Sequence, residues 1–365
     1  MGQPLRIGIV GVGAISGAYL STFERLEAVR LTAIADIDAA RAASVAAEQG
    51  VRALAVDQLI TSPDVDLVLN LTIPAAHADV ALKAIAAGKS VYGEKPLAAT
   101  LVDARAVIDA GRAAGVRVGC APDTVLGTGV QTARQSIDNG AIGTPIAATA
   151  TMVTPGHERW HPNPDFYYQP GGGPLLDMGP YYVTALVTLL GPVESVIGAA
   201  SHTRATRTIG SGPREGEAIP VDVDTHVTGV LRHESGALST IVMSFDVVAS
   251  RASNIEVHGP AGSIIVPDPN GFDGSVLLHE LGGEWHTLAP SAGYRDASRG
   301  YGIADLATTA PDRMPRANGD LAYHVLDVMT SLLTSAASGR SVVVESSCER
   351  PAAVPLSDAP GGIRR

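Results

Sequence analysis

The chain has 365 residues, of which 45% are hydrophobic and 17% charged, a composition suited to two folded domains and not to a disordered polymer. Its net charge of −11, with no cluster of Lys or Arg, excludes the electrostatic footprint of a phosphate backbone, so nucleic acid is not an expected partner. No apolar run reaches the ~18 residues of a spanning helix. The opening MGQPLRIGIVGVG runs directly into a strand and a Gly-rich turn without the layout of a signal sequence, and a cytoplasmic protein is expected. The two cysteines, Cys120 and Cys348, have no metal-ligand spacing and read as structural thiols; no metal is expected.

In chain order, strand-like residues 5–10 lead through a Gly-rich turn into a helix, and a second strand follows at 30–35. The alternation continues with a helix at 39–49, a strand at 53–56, a helix at 57–61, a strand at 66–71, a helix at 76–87, a strand at 90–92, a helix at 100–114 and a strand at 117–120. Strands alternating with helices predict a parallel sheet covered on both faces. Beyond residue 122 the pattern changes to alternating runs at 146–153, 193–201, 225–231, 237–246 and 253–258, which predict an antiparallel sheet. A helix at 320–337 carries Leu321, Val325, Val328 and Leu332 on one face, while 203–220 and 290–318 read as loops or partly mobile flaps. The expected fold class is therefore α/β, an N-terminal Rossmann domain over 1–122, then an α+β domain over 123–350 with a large, mainly antiparallel open sheet. Residues 351–365 read as a tail.

Gly11, Gly13 and Ser16 lie between the first strand and the first helix, with Ala14 and Ile15 in the same turn. The turn needs Gly11 for its tightness and Gly13 where a side chain would block a pyrophosphate facing the helix N-terminus. Such a turn also occurs without a ligand. Asp36, at the end of the second strand, adds context, since a carboxylate there bonds ribose hydroxyls and repels a 2′-phosphate. NAD is the expected cofactor; the alternative for Asp36 is a residue that merely opens the next turn.

Three features together, the Gly-rich turn, Glu94-Lys95-Pro96 and Gly171-Gly-Gly-Pro-Leu-Leu-Asp177-Met-Gly179, resemble the glucose-fructose oxidoreductase and inositol dehydrogenase (Gfo/Idh/MocA) family over nearly the whole chain. The resemblance implies that Lys95 bonds the reacting hydroxyl and the cofactor ribose, that Glu94 belongs to the same cofactor-facing loop, and that Pro96 follows a cis bond. Elementary chemistry agrees on the lysine, because an ammonium stabilises an alkoxide as charge develops. Thr72, Pro74 and His77 are implied neighbours of the nicotinamide ribose, with His77 equally readable as an ordinary residue of a helix N-terminus.

Family members commonly read Asp-x-Gly-x-His where this chain reads Asp177-Met-Gly-Pro180-Tyr181, so Tyr181 stands in place of the expected His. Asp177 and Tyr181 are expected to be catalytic with Lys95, Pro180 opening the helix. A phenol is a poor base unless a cation lowers its pKa. Just upstream, His157, Arg159, Trp160 and His161 offer a replacement base or a grip on substrate, the alternative being a solvated loop with the Trp tucked in. Asp123, closing the last strand of the first domain, is a further expected substrate contact, or else part of a linker.

The implied activity is NAD-dependent oxidation of a hydroxyl on a sugar, sugar acid or inositol. A redox-neutral NAD-dependent glycosidase acting on a glycoside, its sugar bearing an anionic substituent such as a carboxylate, and a non-catalytic NAD-binding regulator are the alternatives. The expected partners are a small carbohydrate and further copies of the chain, as a homodimer or homotetramer covering the open sheet.

Overall fold

A computed structural model describes residues 3–364. The chain divides into two compact units, the first made of residues up to Thr128 with Ala292–Tyr323 and Pro351 onward, the second of Gly129–Ser291 and His324–Arg350.

The first unit begins with β1 (Leu5–Val10), α1 (Ser16–Phe23), β2 (Val29–Ala35), α2 (Ala39–Glu48), β3 (Arg52–Ala53), α3 (Val56–Thr61), β4 (Leu67–Asn70), α4 (Pro74–Ala86), β5 (Ser90–Gly93), α5 (Leu101–Ala114) and β6 (Val118–Cys120). Six strands form one sheet in the order β3-β2-β1-β4-β5-β6, and every pairing is parallel. Strands covered on both faces need apolar residues in both directions, which is why Ile7 and Ile9 of β1 and Leu67, Val68 and Leu69 of β4 are fully buried. Local signals set the helix ends: Asp38 accepts from the Ala40 and Arg41 amides at the start of α2, and Thr100 accepts from the Asp103 amide at the start of α5. The strand order reverses between β1 and β4, so the crevice beyond their carboxyl ends is the natural ligand position in such a sheet.

The second unit contains α6 (Thr128–Asp138, from its second residue), β7 (Ala147–Val153), α7 (Pro174–Leu190), β8 (Val193–Ser201), β9 (Thr206–Thr208), β10 (Ala218–Pro220), β11 (His226–His233), β12 (Leu238–Ser244), β13 (Ile255–Gly259), β14 (Gly262–Val266), β15 (Val276–Glu280) and β16 (His286–Leu288). Nine strands, including the later β17, form one sheet in the order β16-β15-β14-β13-β7-β12-β11-β8-β17. One pairing departs from the antiparallel expectation: β7 and β12 run parallel. Gly198 of β8 and Gly229 of β11 are paired in register, and a Cβ on either would lie 2.7 or 2.5 Å from the Leu332 side chain. Glycine is required there because a helix packs directly on the sheet. The opposite face is a ridge of Ile197, Val230, Thr240 and Thr149, with Ile197 49% and Val230 37% exposed.

The chain then forms α8 (Tyr301–Thr308), α9 (Gly319–Ser338) and β17 (Val342–Val343). Residues 290–318, expected as loop or partly mobile flap, hold α8 between irregular segments, and residues 351–365, expected as a tail outside both domains, belong with them to the first unit. The Gly293 amide donates to the Val354 carbonyl at 2.9 Å, and the Arg364 guanidinium donates to the Val29 carbonyl at 2.7 Å. The segment 203–220 is likewise the hairpin β9–β10, fixed because Arg207 is 3% exposed among acidic partners.

A buried histidine pair gives the second unit a pH dependence. His324 Nε2 accepts from the Val193 amide at 3.0 Å, and His233 lies 2.7 Å from both the Gly191 carbonyl and the Ser239 hydroxyl. Burial disfavours the cation and lowers both from the ordinary value of 6.5. With folded-state values below unfolded ones, the unfolded chain takes up more protons as pH falls below ~6.5, and stability is lost there, by at most about 1.4 kcal/mol per pH unit per imidazole. The urea midpoint is expected to fall between pH 7.5 and 5.5, and to fall less in His324→Gln, whose amide oxygen still accepts from Val193. An equal fall in both proteins would exclude His324 as a cause.

Candidate active site

In the first unit, β1 ends in a turn shaped by two glycines with different duties. Gly11 has φ 94°, and a Cβ there would lie 2.8 Å from the Leu71 carbonyl oxygen, so only glycine fits. Gly13 has nothing within 4 Å of its Cβ position. That open space faces a cleft of about 450 Å³ lined by Gly11, Gly13, Asp36, Ile37, Thr72 and Ile73, among others. Ser16, in place of a third glycine, donates its hydroxyl to the Gly13 carbonyl at 2.7 Å and holds the turn. Asp36 is pre-positioned: its carboxylate accepts from the Val12 amide at 2.8 Å and the Asp38 amide at 2.8 Å. Ile37 and Ile73, 98% and 70% exposed, supply apolar walls on this cleft. A cradle that a Cβ would fill, apolar walls and a fixed carboxylate at the end of β2 fit a dinucleotide.

The end of β5 carries Glu94, Lys95 and Pro96, with a cis bond before Pro96 as the resemblance implied. A second cis bond, Ala121-Pro122, was not expected from the sequence. Glu94 is engaged internally, accepting from the Tyr19 hydroxyl at 2.7 Å and the Lys95 amide at 3.1 Å, so it fixes the backbone that presents Lys95. His77 is 2% exposed, with Nδ1 2.7 Å from the Pro96 carbonyl and Nε2 3.0 Å from the Thr72 carbonyl. It ties the loop after β4 to the Lys95-Pro96 turn and braces the cleft from behind. Thr72 donates to Asn70 Oδ1 at 2.6 Å, and Pro74 opens α4.

Asp123 takes a different place from the one expected. It is fully buried, and its Oδ2 accepts from the Gly300 and Gly302 amides at 2.9 Å each, capping α8. Burial raises its pKa to about 6, against the lowering effect of the Gly302 amide. This is a structural anchor. The sequence could not reveal it, since the capped helix lies 177 residues further on.

In the second unit, α7 begins earlier than expected. Pro174, after Gly173 at φ 87°, holds the first position, and Pro180 lies inside the helix. Asp177 therefore sits in the first turn, where the helix field favours a carboxylate. Tyr181, one turn on, is 5% exposed. The group that meets Asp177 is His157, whose Nε2 is 3.2 Å from Asp177 Oδ2. His157 lies in a 3-10 turn, His157–Arg159, and packs against Phe245, Tyr167 and Trp160 with centroids at 4.5, 4.7 and 5.3 Å. With Nε2–H donating to the carboxylate, the lone pair resides on Nδ1, a buried atom with no hydrogen-bond partner among the described residues. Trp160 and His161 extend the aromatic cluster through Phe166 and Tyr167. Phe166, Tyr167 and Phe245 carried no recognisable signal in the sequence.

Glu158, between His157 and Arg159, turns inward. It accepts from Arg207 Nη1 at 3.0 Å and from the Tyr168 hydroxyl. Arg207 also bonds Asp246 at 2.6 Å, which in turn accepts from the Thr225 hydroxyl at 2.5 Å. Among the described residues no group of three or more His, Cys, Asp or Glu is arranged to hold a metal, and no helix is long and apolar enough to cross a membrane.

Comparison with known proteins now gives the class. The model for the oxidoreductase family with an NAD-binding Rossmann fold matches residues 5–121, and that for the Gfo/Idh/MocA C-terminal domain matches residues 130–265. The chain belongs to the Gfo/Idh/MocA family and is an NAD-dependent oxidoreductase. It is 29% identical to a 1,5-anhydro-D-fructose reductase of Ensifer adhaerens, over 93% of this chain and 99% of that one. It is 27% identical to a myo-inositol 2-dehydrogenase of Thermotoga maritima, over 75% of this chain and 82% of the relative. A crystal structure of an NAD-binding oxidoreductase from Klebsiella pneumoniae superposes with a TM-score of 0.82 at 25% identity, covering 93% of this chain and 99% of that chain.

Asp36→Ala removes the acceptor fixed by the Val12 and Asp38 amides. NAD should bind at least about tenfold more weakly, a loss of ~1.4 kcal/mol, while the gap to NADP narrows because the charge opposing a 2′-phosphate is gone. Fluorescence titration with both cofactors reads this directly, and an unchanged NAD/NADP ratio would show that Asp36 does not discriminate.

Proposed function

We propose that the protein oxidises a secondary hydroxyl of a sugar, sugar acid or inositol, with Lys95 and the His157–Asp177 pair as the proton-handling groups. The observation that carries this reading is the His157–Asp177 pair at 3.2 Å, because it restores a carboxylate-bound imidazole in a chain whose helix has Tyr at the family's His position. NAD supplies the hydride acceptor when bound. The chain's own tasks are then to stabilise the oxygen that loses its proton and to take that proton. Lys95, on a backbone held by Glu94 and braced by His77, has the chemistry for the first task. The second falls to the His157–Asp177 pair, whose imidazole and carboxylate are both proton acceptors. Redox-neutral glycoside cleavage is not favoured, since the relatives named above are a reductase and a dehydrogenase.

The reading extends to assembly. The apolar and threonine-rich face of the nine-stranded sheet, with Ile197 and Val230 exposed, suits a second copy of the chain, giving a homodimer or homotetramer.

Two measurements test the assignment. Lys95→Ala should bind NAD nearly as wild type yet turn over about 10²–10³-fold more slowly on whichever member of a panel of sugars, uronates and inositols yields NADH. His157→Asn should cost about 10²-fold or more in kcat, whereas Tyr181→Phe should change it by less than about threefold. A large loss in Tyr181→Phe with His157→Asn unaffected would return proton transfer to Tyr181. Absence of NADH with every polyol tried would sink the dehydrogenase reading itself.

A further inference from the structure

The second unit contains a cavity of about 490 Å³ lined by Glu158, Arg159, Arg204, Thr206, Arg207, Thr208 and Gly210. Three of the lining residues are arginines and one is acidic, in a chain whose net charge is −11; of the three, Arg207 is paired with Glu158 and Asp246. Glu158 is already committed to Arg207 and the Tyr168 hydroxyl. Arg159 and Arg204 are both exposed, and neither has an ion-pair partner among the described residues. Arg214 in the same unit is paired with Asp165 and Glu217, and Arg350 with Asp138.

The third arginine supplies an independent observation. Arg207 is 3% exposed, its Nη atoms serve Glu158, Asp246 and two carbonyls, and its buried Nε has no hydrogen-bond partner among the described residues. Burying an N–H donor without an acceptor is unfavourable, and native structures rarely leave one unless something completes it. The walls are also fixed. The Gly210 amide donates to the Glu158 carbonyl at 2.7 Å, and a Cβ on Gly210 would lie 3.0 Å from the Arg159 backbone, so the bend after β9 is pressed onto the turn carrying His157 and Arg159. Guanidinium groups match the planar oxygens of a carboxylate, sulfonate or phosphate.

We propose that Arg159, Arg204 and Arg207 form an oxyanion-binding site, whose ligand is either the acidic substituent of a sugar substrate or a free inorganic oxyanion. The sugar-borne case rests on the dehydrogenase reading above, and it would make sugar acids preferred over neutral sugars.

Calorimetric titration of the intact protein, saturated with NAD at low ionic strength, with inorganic sulfate, D-glucuronate and D-glucose tests this. Sulfate should bind, and Arg159→Gln and Arg204→Gln should each weaken it at least fivefold, with thermal midpoints near wild type because both side chains are exposed. Glucuronate binding at least tenfold tighter than glucose, lost in Arg204→Gln and competed by sulfate, identifies a substrate-borne acid. Sulfate binding with no preference between the two sugars identifies a free ion. No sulfate binding, or binding unchanged in the Arg159→Gln/Arg204→Gln double variant, overturns the site. NADH formation is scored separately, so anion binding without turnover of any sugar would count against the dehydrogenase reading and leave the site standing.

Discussion

The loop of the second unit that carries His157 is organised around one buried cation. Arg207 is among the most buried charges in the chain, and an isolated guanidinium would not tolerate that environment. Glu158 and Asp246 meet it from two different segments, each further held by a hydroxyl, from Tyr168 and Thr225. Because Glu158 stands between His157 and Arg159, fixing its carboxylate fixes the turn on which both neighbours ride. Removing Arg207 would leave two acidic groups facing each other inside the protein, so the loop cannot relax without a large electrostatic penalty. The ion network is less a source of net stability than a device for holding one conformation of an irregular segment that has little secondary structure of its own.

What the sequence disclosed and what it hid follow from the range of each interaction. Gly11, Gly13 and Asp36 were legible because a strand, a tight turn and a helix N-terminus are local, and each residue's duty is set by neighbours within one βαβ unit. The parallel sheet was legible for the same reason, since β1 through β6 announce themselves by alternation with helices. Asp123 misled because its partners, the Gly300 and Gly302 amides, belong to a segment that leaves and returns through an entire second unit. The segment 203–220 looked loop-like from its Gly, Pro and charged residues. One of those charges, Arg207, was the buried anchor, and composition alone does not distinguish a solvated arginine from a compensated one. The start of α7 was misplaced at Pro180; the helix opens at Pro174, directly after Gly173 at positive φ.

The departure at Tyr181 changes how a carboxylate–imidazole pair can be built. Residues 177 and 181 are four apart on one helix, so a His at the second position would share a face with Asp177 and could be oriented by it without help from any other element. Here that face is filled by a tyrosine, 5% exposed, and the imidazole arrives from the 3-10 turn at 157 instead. A pair built on one helix inherits its spacing from the helix. A pair built from a helix and a loop does not, and its 3.2 Å separation depends on whatever fixes the loop. That role falls to the Arg207 network from below and to the ring contacts of Phe245, Tyr167 and Trp160 around His157. Loss of Arg207 should therefore disturb the dyad without touching it, and the same loss should open the arginine cavity, because both are consequences of where Glu158 is held.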